Sequence, residues 1–185
     1  MKNKLSINKS NLVKSVLLGS TFLLAAQSAQ ADSVSGTIGV TITLTSSCVI
    51  NGAAPGADLT YGTINFGTRT TFFNSVDSSL QPTGGGNTTI QCTPGTTASA
   101  KLVSGANDTN QIAPRKHVMA NGTKYVPYDL YKEAARTTVI NNGDTVFTGT
   151  ADGTPQTFNL YARAFGTDGL TAGTYNDTLT VELTF

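Results

Sequence analysis

Residues 175–185 read Tyr-Asn-Asp-Thr-Leu-Thr-Val-Glu-Leu-Thr-Phe. Tyr175, Leu179, Val181, Leu183 and Phe185 stand at odd positions, with Asp177 the single polar interruption. Asn176, Thr178, Thr180, Glu182 and Thr184 fill the even ones. Successive side chains of an extended backbone point to opposite faces, so this is a strand with one buried face. A second stretch alternates with the other parity. Val34, Gly36, Ile38, Val40, Ile42 and Leu44 are even; Ser35, Thr37, Gly39, Thr41 and Thr43 are odd. Alternation tells that a face is buried but not whose core buries it. The pattern therefore fits the first and last strands of one closed sandwich, or an N-terminal strand that belongs in another molecule.

Between these ends the chain reads as short strands separated by turns. Thirty of residues 32–185 are Thr, a residue that strands favour, and Gly, Asn and Asp mark the turns. Strands are predicted over residues 59–66, 88–92, 98–104, 124–131, 145–148 and 158–165. Asn142-Gly143 predicts a hairpin turn, and Gly84-Gly85-Gly86 and Asp168-Gly169 predict loops. Past the first thirty residues no stretch carries apolar residues at helical spacing over the length of a helix. Many short strands without helices predict an antiparallel β-sandwich, here as one domain.

Basic residues are unevenly placed. Lys2, Lys4, Lys9 and Lys14 lie in the first fourteen positions, where there is no acid, leaving eight basic residues against eleven acidic ones beyond. A mildly acidic body offers no footprint for a phosphate backbone, which argues against nucleic acid as a partner. The basic start, an apolar run at residues 16–26 and Ala29-Gln30-Ala31 together describe a secretory signal peptide over residues 1–31. An apolar run of eleven residues is far short of the roughly 20 that a membrane span needs. The expected mature chain starts at Asp32 and is exported.

Two cysteines remain in it, Cys48 and Cys92. In an exported chain an even count points to a disulfide, and two cysteines permit one intramolecular pairing. A lone distant pair without His or acidic neighbours makes a poor metal site. Catalytic chemistry is not legible. The single histidine, His117, sits beside Arg115 and Lys116 without a G-x-S-x-G motif, and is read as a surface or loop residue. The triple glycine lacks the Lys-Ser/Thr of a phosphate loop. Asp144, Asp152 and Asp168 lie in separate turns with no calcium-loop pattern. Four N-x-Thr sequons, at Asn87, Asn107, Asn121 and Asn176, follow from the abundance of Thr and Asn. The expectation is a protein that is not an enzyme, with no catalytic residues, cofactor or metal.

A set of ordered motifs carries a resemblance. Cys48-Val49-Ile50, Asn65-Phe66-Gly67, Ile90-Gln91-Cys92-Thr93-Pro94-Gly95, Leu102-Val103-Ser104-Gly105, Tyr128-Asp129-Leu130-Tyr131 and Ala172-Gly173-Thr174-Tyr175-Asn176-Asp177-Thr178 together resemble the spore coat protein U domain family. Within it, a single domain with an N-terminal extension is similar to the major rod subunits of archaic chaperone–usher pili. The resemblance implies an all-β fold, an incomplete immunoglobulin-like antiparallel β-sandwich completed by a donor strand from a neighbouring subunit. It implies a donor extension over residues 32–44, with Val34, Gly36, Ile38, Val40 and Ile42 inward, and a pilin domain over residues 45–185. Tyr175, Leu179, Val181, Leu183 and Phe185 would line one wall of the acceptor cleft, and the Cys48 strand the other; Leu44 falls at the boundary. The implied partners are copies of the chain itself, a periplasmic pilus chaperone, an outer-membrane usher and minor or tip subunits. The implied location is an extracellular pilus of a Gram-negative bacterium, serving adhesion and biofilm formation. A spore or cell-surface coat protein without donor extension, and a secreted carbohydrate-binding module, are the other classes. The second should show an aromatic platform, yet Trp is absent.

Overall fold

The computed structural model describes residues 32–185 except 55, 57 and 58; the expected signal peptide lies outside the described residues. Twelve strands follow in chain order: β1 Cys48–Ile50, β2 Thr63–Ile64, β3 Ser75–Gln81, β4 Thr89–Cys92, β5 Thr97–Gly105, β6 His117–Asn121, β7 Lys124–Tyr131, β8 Val139–Ile140, β9 Thr145–Thr150, β10 Gln156–Thr157, β11 Tyr161–Phe165 and β12 Leu179–Thr184. A three-residue 3-10 turn, Asp108–Asn110, is the one helical element among the described residues. The strands form three sheets, ordered β1-β4-β10, β2-β3-β11-β7-β6 (with β8 on β7) and β12-β5-β9. Every strand pair is antiparallel.

The sandwich follows from which faces meet. Leu102 of β5 packs with Val126, Tyr128 and Leu130 of β7, Ile140 of β8, and Ala162 and Ala164 of β11. Side chains from the second and third sheets thus share one core, and the alanines of β11 let the layers approach. Cys48 and Ile50 of β1, Ile90 and Cys92 of β4, Ala98 of β5 and Phe158 form a second cluster. Leu102, Leu130 and Ile140 are fully buried. Each contributes about 1.5–3 kcal/mol by leaving water. The one buried carboxylate of β7, Asp129, is paired with Arg115 at 3.0 Å and accepts from the Lys116 amide at 2.9 Å. Arg115 also lies 3.4 Å over the Phe165 ring, which holds the guanidinium where Asp129 needs it.

Several expectations change in detail. Of residues 59–66 only Thr63–Ile64 are strand. The Tyr61 carbonyl accepts instead from Asn51 Nδ2 at 3.2 Å and Thr88 Oγ1 at 2.9 Å, so side chains satisfy backbone that a neighbouring strand would have taken. Gly62, at φ +136°, lies against the Gln81 carbonyl, where a Cβ would have no room. The predicted strand at 158–165 is divided. Phe158 belongs to the second cluster and Leu160 to the first, so the chain crosses between sheets before β11. Asn142-Gly143 does form a turn, with the Asp144 amide donating to the Asn141 carbonyl at 3.0 Å. It is no hairpin, because β8 pairs with β7 while β9 pairs with β5. β3 was not predicted: Ser-Val-Asp-Ser-Ser has weak strand character. Register places Asp77 opposite Arg163, and the two join at 2.6 and 2.9 Å. That cross-strand pair supplies what propensity does not.

Cys48 and Cys92 are bonded, as expected, and face each other across the β1–β4 pair. The bond closes a separation of 44 residues. Restricting the unfolded chain over such a loop is worth about 4 kcal/mol. The double replacement Cys48→Ser with Cys92→Ser should lower unfolding free energy by about that amount, read as a drop in urea midpoint. A midpoint indifferent to reductant would refute this role.

Candidate functional site: an unpaired strand edge

β12 is an end strand of its sheet and pairs only with β5. Its apolar face is incompletely covered. Leu179, Val181 and Leu183 pack against the two core clusters yet are only half-buried, while Leu102 on the neighbouring strand is wholly enclosed. Phe185, just beyond the strand, is 47% exposed. Tyr175 also lies outside β12; its hydroxyl donates to the Thr171 carbonyl at 2.9 Å. The C-terminal strand is therefore shorter than its alternation predicts, because residues 175–178 are held by other contacts.

One cavity flanks this edge, and a second, lined by no residue of β12, lies before it. The first, of about 250 Å3, is lined by Cys48, Ile50, Leu59, Tyr61, Leu183 and Phe185, among others. The other, about 810 Å3, lies at the Tyr175 end, with Ile64, Phe66, Phe73, Met119 and Leu170 in its wall. Cys48 and Ile50 thus face only the narrow end. Along the rest, the side opposite the C-terminal residues is made by Leu59, Tyr61, Ile64 and Phe66. Sequence reasoning gave these four no role. The signal was their change of parity across Gly62, from odd positions to even. No charged side chain lines the narrow cavity among the described residues, and only Arg69 lines the wide one. Burial pushes the Tyr61 hydroxyl above its ordinary value. Such a surface suits an extended apolar chain with backbone groups to pair, not a charged small molecule.

Residues 32–47 belong to no strand. Val34 is 97% exposed, Ile38 91%, Val40 89%, Ile42 82% and Leu44 81%. A Cβ on Gly36 or Gly39 would meet no atom within 4 Å. An alternating stretch without a partner has no ladder for its backbone, and the first strand of this chain's own sheets is β1. Leu44 is not part of it.

A polar cluster fixes the approach to β12. Asp177 accepts from the Asn107 amide at 3.1 Å, from its Nδ2 at 2.9 Å, and from the Tyr128 hydroxyl at 2.7 Å. Asp108 accepts from the Gly105 amide at 2.6 Å and Asn142 Nδ2 at 2.8 Å, and meets His117 Nδ1 at 2.8 Å. The expectation that His117 is a surface or loop residue is wrong. It opens β6, is fully buried, and stacks near Tyr128. Its basic neighbours misled: Arg115 turns to Asp129, leaving the imidazole to Asp108. A Cβ on Gly105 would lie 2.6 Å from Asp108 Oδ1 and 2.8 Å from Asp177 Oδ2, so only glycine lets the two carboxylates approach there. Burial, and then the bond to Asp177, drive the Tyr128 hydroxyl far above its ordinary value, keeping it a donor. No group of three or more His, Cys, Asp or Glu able to hold a metal occurs among the described residues.

The chain is similar to known proteins. A family model described as the Spore Coat Protein U domain matches residues 34–182. Protein U of Myxococcus xanthus is 29% identical over 170 residues, which is 88% of this chain and 91% of that protein. Among solved structures, the chaperone–tip adhesion subunit pre-assembly complex of archaic chaperone–usher Csu pili from Acinetobacter baumannii is similar at 23% identity with a TM-score of 0.44. The alignment covers 77% of this chain and 40% of that one, so this chain spans about two fifths of the solved chain's length.

The Asp108 carboxyl sets an acid limit on the site. Burial raises it, but the bonds from Asn142, the Gly105 amide and His117 outweigh that, and the net value lies below the ordinary 3.8. A carboxyl depressed by folding contributes stability above its unfolded value and loses it as pH falls through the folded one. Asp108→Asn should therefore have a lower urea midpoint than the parent at pH 7, with the gap closing as pH falls past the ordinary 3.8 and through the lower folded value. A gap of constant size across that range would count against the assignment.

Proposed function

Because this chain belongs to the Spore Coat Protein U domain family, we propose that it is the structural major subunit of an archaic chaperone–usher pilus, polymerising by donor-strand complementation into a surface fibre. The observation that carries this reading is the pairing of a deficit with a surplus. The sandwich has an edge strand whose apolar face is half-covered and flanked by a cavity without charged side chains, with a second, nearly uncharged cavity at the Tyr175 end. The same chain has an exposed alternating stretch with no strand partner. In this reading Val34, Gly36, Ile38, Val40 and Ile42 enter the cleft of the neighbouring copy, whose wall includes Tyr175, Leu179, Val181, Leu183 and Phe185. Residues 1–31 direct export, residues 32–44 are the donor, and residues 45–185 are the pilin domain. A periplasmic chaperone covers the cleft first, since an open edge with exposed apolar surface invites aggregation. The usher then exchanges chaperone for subunit, and minor or tip subunits end a fibre serving adhesion and biofilm formation. The role is structural, not catalytic.

Burying Ile38, Val40 and Ile42 contributes about 1.5–3 kcal/mol each before ordering costs. In a donor polymer that energy holds the next subunit, not the chain's own fold. Val40→Asp, or deletion of residues 33–43, should leave a folded subunit that co-purifies with its chaperone but gives no ladder of undissociated multimers. Thr41→Asp, on the other face, should keep the ladder. Loss of the truncated subunit from the periplasm despite chaperone would sink the proposal. An unchanged ladder with Val40→Asp would favour a coat protein that assembles without a donor. On the acceptor side, Val181→Asp should abolish chaperone capture and polymerisation together, because a buried unpaired carboxylate is costly in either complex.

A further inference from the structure

We infer that Asn121 is a site of self-modification, where the Gly122 backbone nitrogen displaces the side-chain amide and leaves aspartate or isoaspartate at the tip of the β6–β7 hairpin. The inference stands apart from the donor-strand reading. It comes from the three Asn-Gly steps of the chain, Asn51-Gly52, Asn121-Gly122 and Asn142-Gly143, which share one dipeptide and differ in what surrounds it.

Glycine after asparagine matters because it has no Cβ to hinder its own nitrogen, and because its backbone turns freely. Exposure does not separate the three steps, since all three glycines are exposed. Hydrogen bonds do. The Asn51 side chain is held at both ends: Oδ1 accepts from the Thr89 amide at 2.9 Å, and Nδ2 donates to the Tyr61 carbonyl at 3.2 Å. At Asn142 the nucleophile is occupied as well, because the Gly143 amide donates to the Leu102 carbonyl at 2.7 Å. The leaving group there, Asn142 Nδ2, is held by Asp108 at 2.8 Å. Attack at either step must first break bonds that join distant segments of the fold.

Asn121 has neither restraint. Register pairs it with Lys124, so Gly122-Thr123 is a two-residue turn with Gly122, at φ +58°, in its first position. The ladder of such a turn uses the backbone of the flanking pair, and the Gly122 amide has no backbone acceptor among the described residues. A Cβ on Gly122 would meet no atom within 4 Å, so the tip is open. The Asn121 side chain makes no hydrogen bond among the described residues. It stands against Gly173, where a Cβ would have no room.

In the reaction the Gly122 nitrogen loses its proton to water and bonds to Asn121 Cγ. The Cγ–Nδ2 bond breaks, and Nδ2 takes up a proton and leaves as ammonia. Water then opens the cyclic imide. Addition at Cγ gives aspartate; addition at the backbone carbonyl gives isoaspartate, with the chain running through Cβ and Cγ. The net change is one water consumed and one ammonia released, with no oxidation or reduction. The new carboxylate lies beside Gly173 and next to Ala120, whose amide and carbonyl pair with Asn176 at 2.9 and 3.1 Å. Gly173 and Asn176 line the wide cavity. Isoaspartate adds a backbone carbon at the end of β6 and loosens that pairing, so a change at the hairpin tip reaches the cavity wall.

The test is to hold the purified, folded chain, its Cys48–Cys92 bond intact, at mildly alkaline pH for days and map its peptides by mass spectrometry. Isoaspartate is scored separately with the methyltransferase that recognises it. The peptide carrying Asn121 should gain acid and isoaspartate, while those carrying Asn51 and Asn142 keep their amides. In concentrated urea all three should convert at similar rates, because the bonds that protect two of them are gone. Conversion of the folded chain at Asn51 or Asn142 ahead of Asn121, at all three alike, or at none would overturn the assignment. Asn121→Gln, whose longer side chain closes an imide ring far less readily, should fold normally and remove the isoaspartate signal; a signal of the same size would place it elsewhere and overturn the assignment too. In the aged chain the Ala120 and Asn176 amides should exchange hydrogen faster than in Asn121→Gln aged alongside. Equal exchange would overturn the reach to the cavity wall.

Discussion

An antiparallel sandwich is stable when each strand has hydrogen-bonding neighbours and each apolar face has a cover, and β12 meets both conditions on one side only. Its backbone is paired to β5 and open beyond. Its inward side chains touch the core without being enclosed by it. An unpaired strand edge is a template for another chain, and natural proteins usually blunt it with charge, proline or a bulge. Here the register shifts between Thr180 and Val181, yet the inward residues Leu179, Val181 and Leu183 stay apolar and only half-covered.

The rest of the molecule holds the edge in place. The disulfide fixes β1 against β4, and so the narrow end of the groove. Asp177 is gripped by Asn107 and Tyr128 immediately before β12, while Asp108 ties Gly105, Asn142 and His117 beside it. On the other wall, Arg136 donates to the Ala162 and Ser78 carbonyls and lies 3.5 Å from Asp77, bridging β3 to β11. These polar ties use directional bonds, which fix a geometry that hydrophobic contact alone leaves free to slide. An extended occupant would then find both walls already placed, so less of its binding energy goes into ordering the site.

The His117 cluster illustrates how a local reading of charge fails. Flanking Arg115 and Lys116 suggested a solvated segment, yet the Arg115 guanidinium is drawn to Asp129 and the Phe165 ring, and the imidazole turns inward. Which neighbour a charged side chain answers is decided across strands, fourteen residues away for Arg115 and Asp129. The strand β3 was missed for a related reason. Its partner Arg163 lies 86 residues from Asp77, and nothing within Ser75–Gln81 announces it.

Period-two alternation by itself determined the all-β class, the inward residues of β12 and the apolar side of residues 34–44. The cysteine count restricted any disulfide to Cys48 with Cys92, and ordered motifs carried the family resemblance. Those properties are local, set by where successive side chains point or by how many thiols exist. Only the tertiary structure decided which edge stays unpaired, that Leu59, Tyr61, Ile64 and Phe66 form the facing wall, that His117 is buried, and that Leu44 precedes the first strand and does not join it. Those depend on which strands become neighbours, and a pattern that repeats every two residues specifies a face without specifying the partner that covers it.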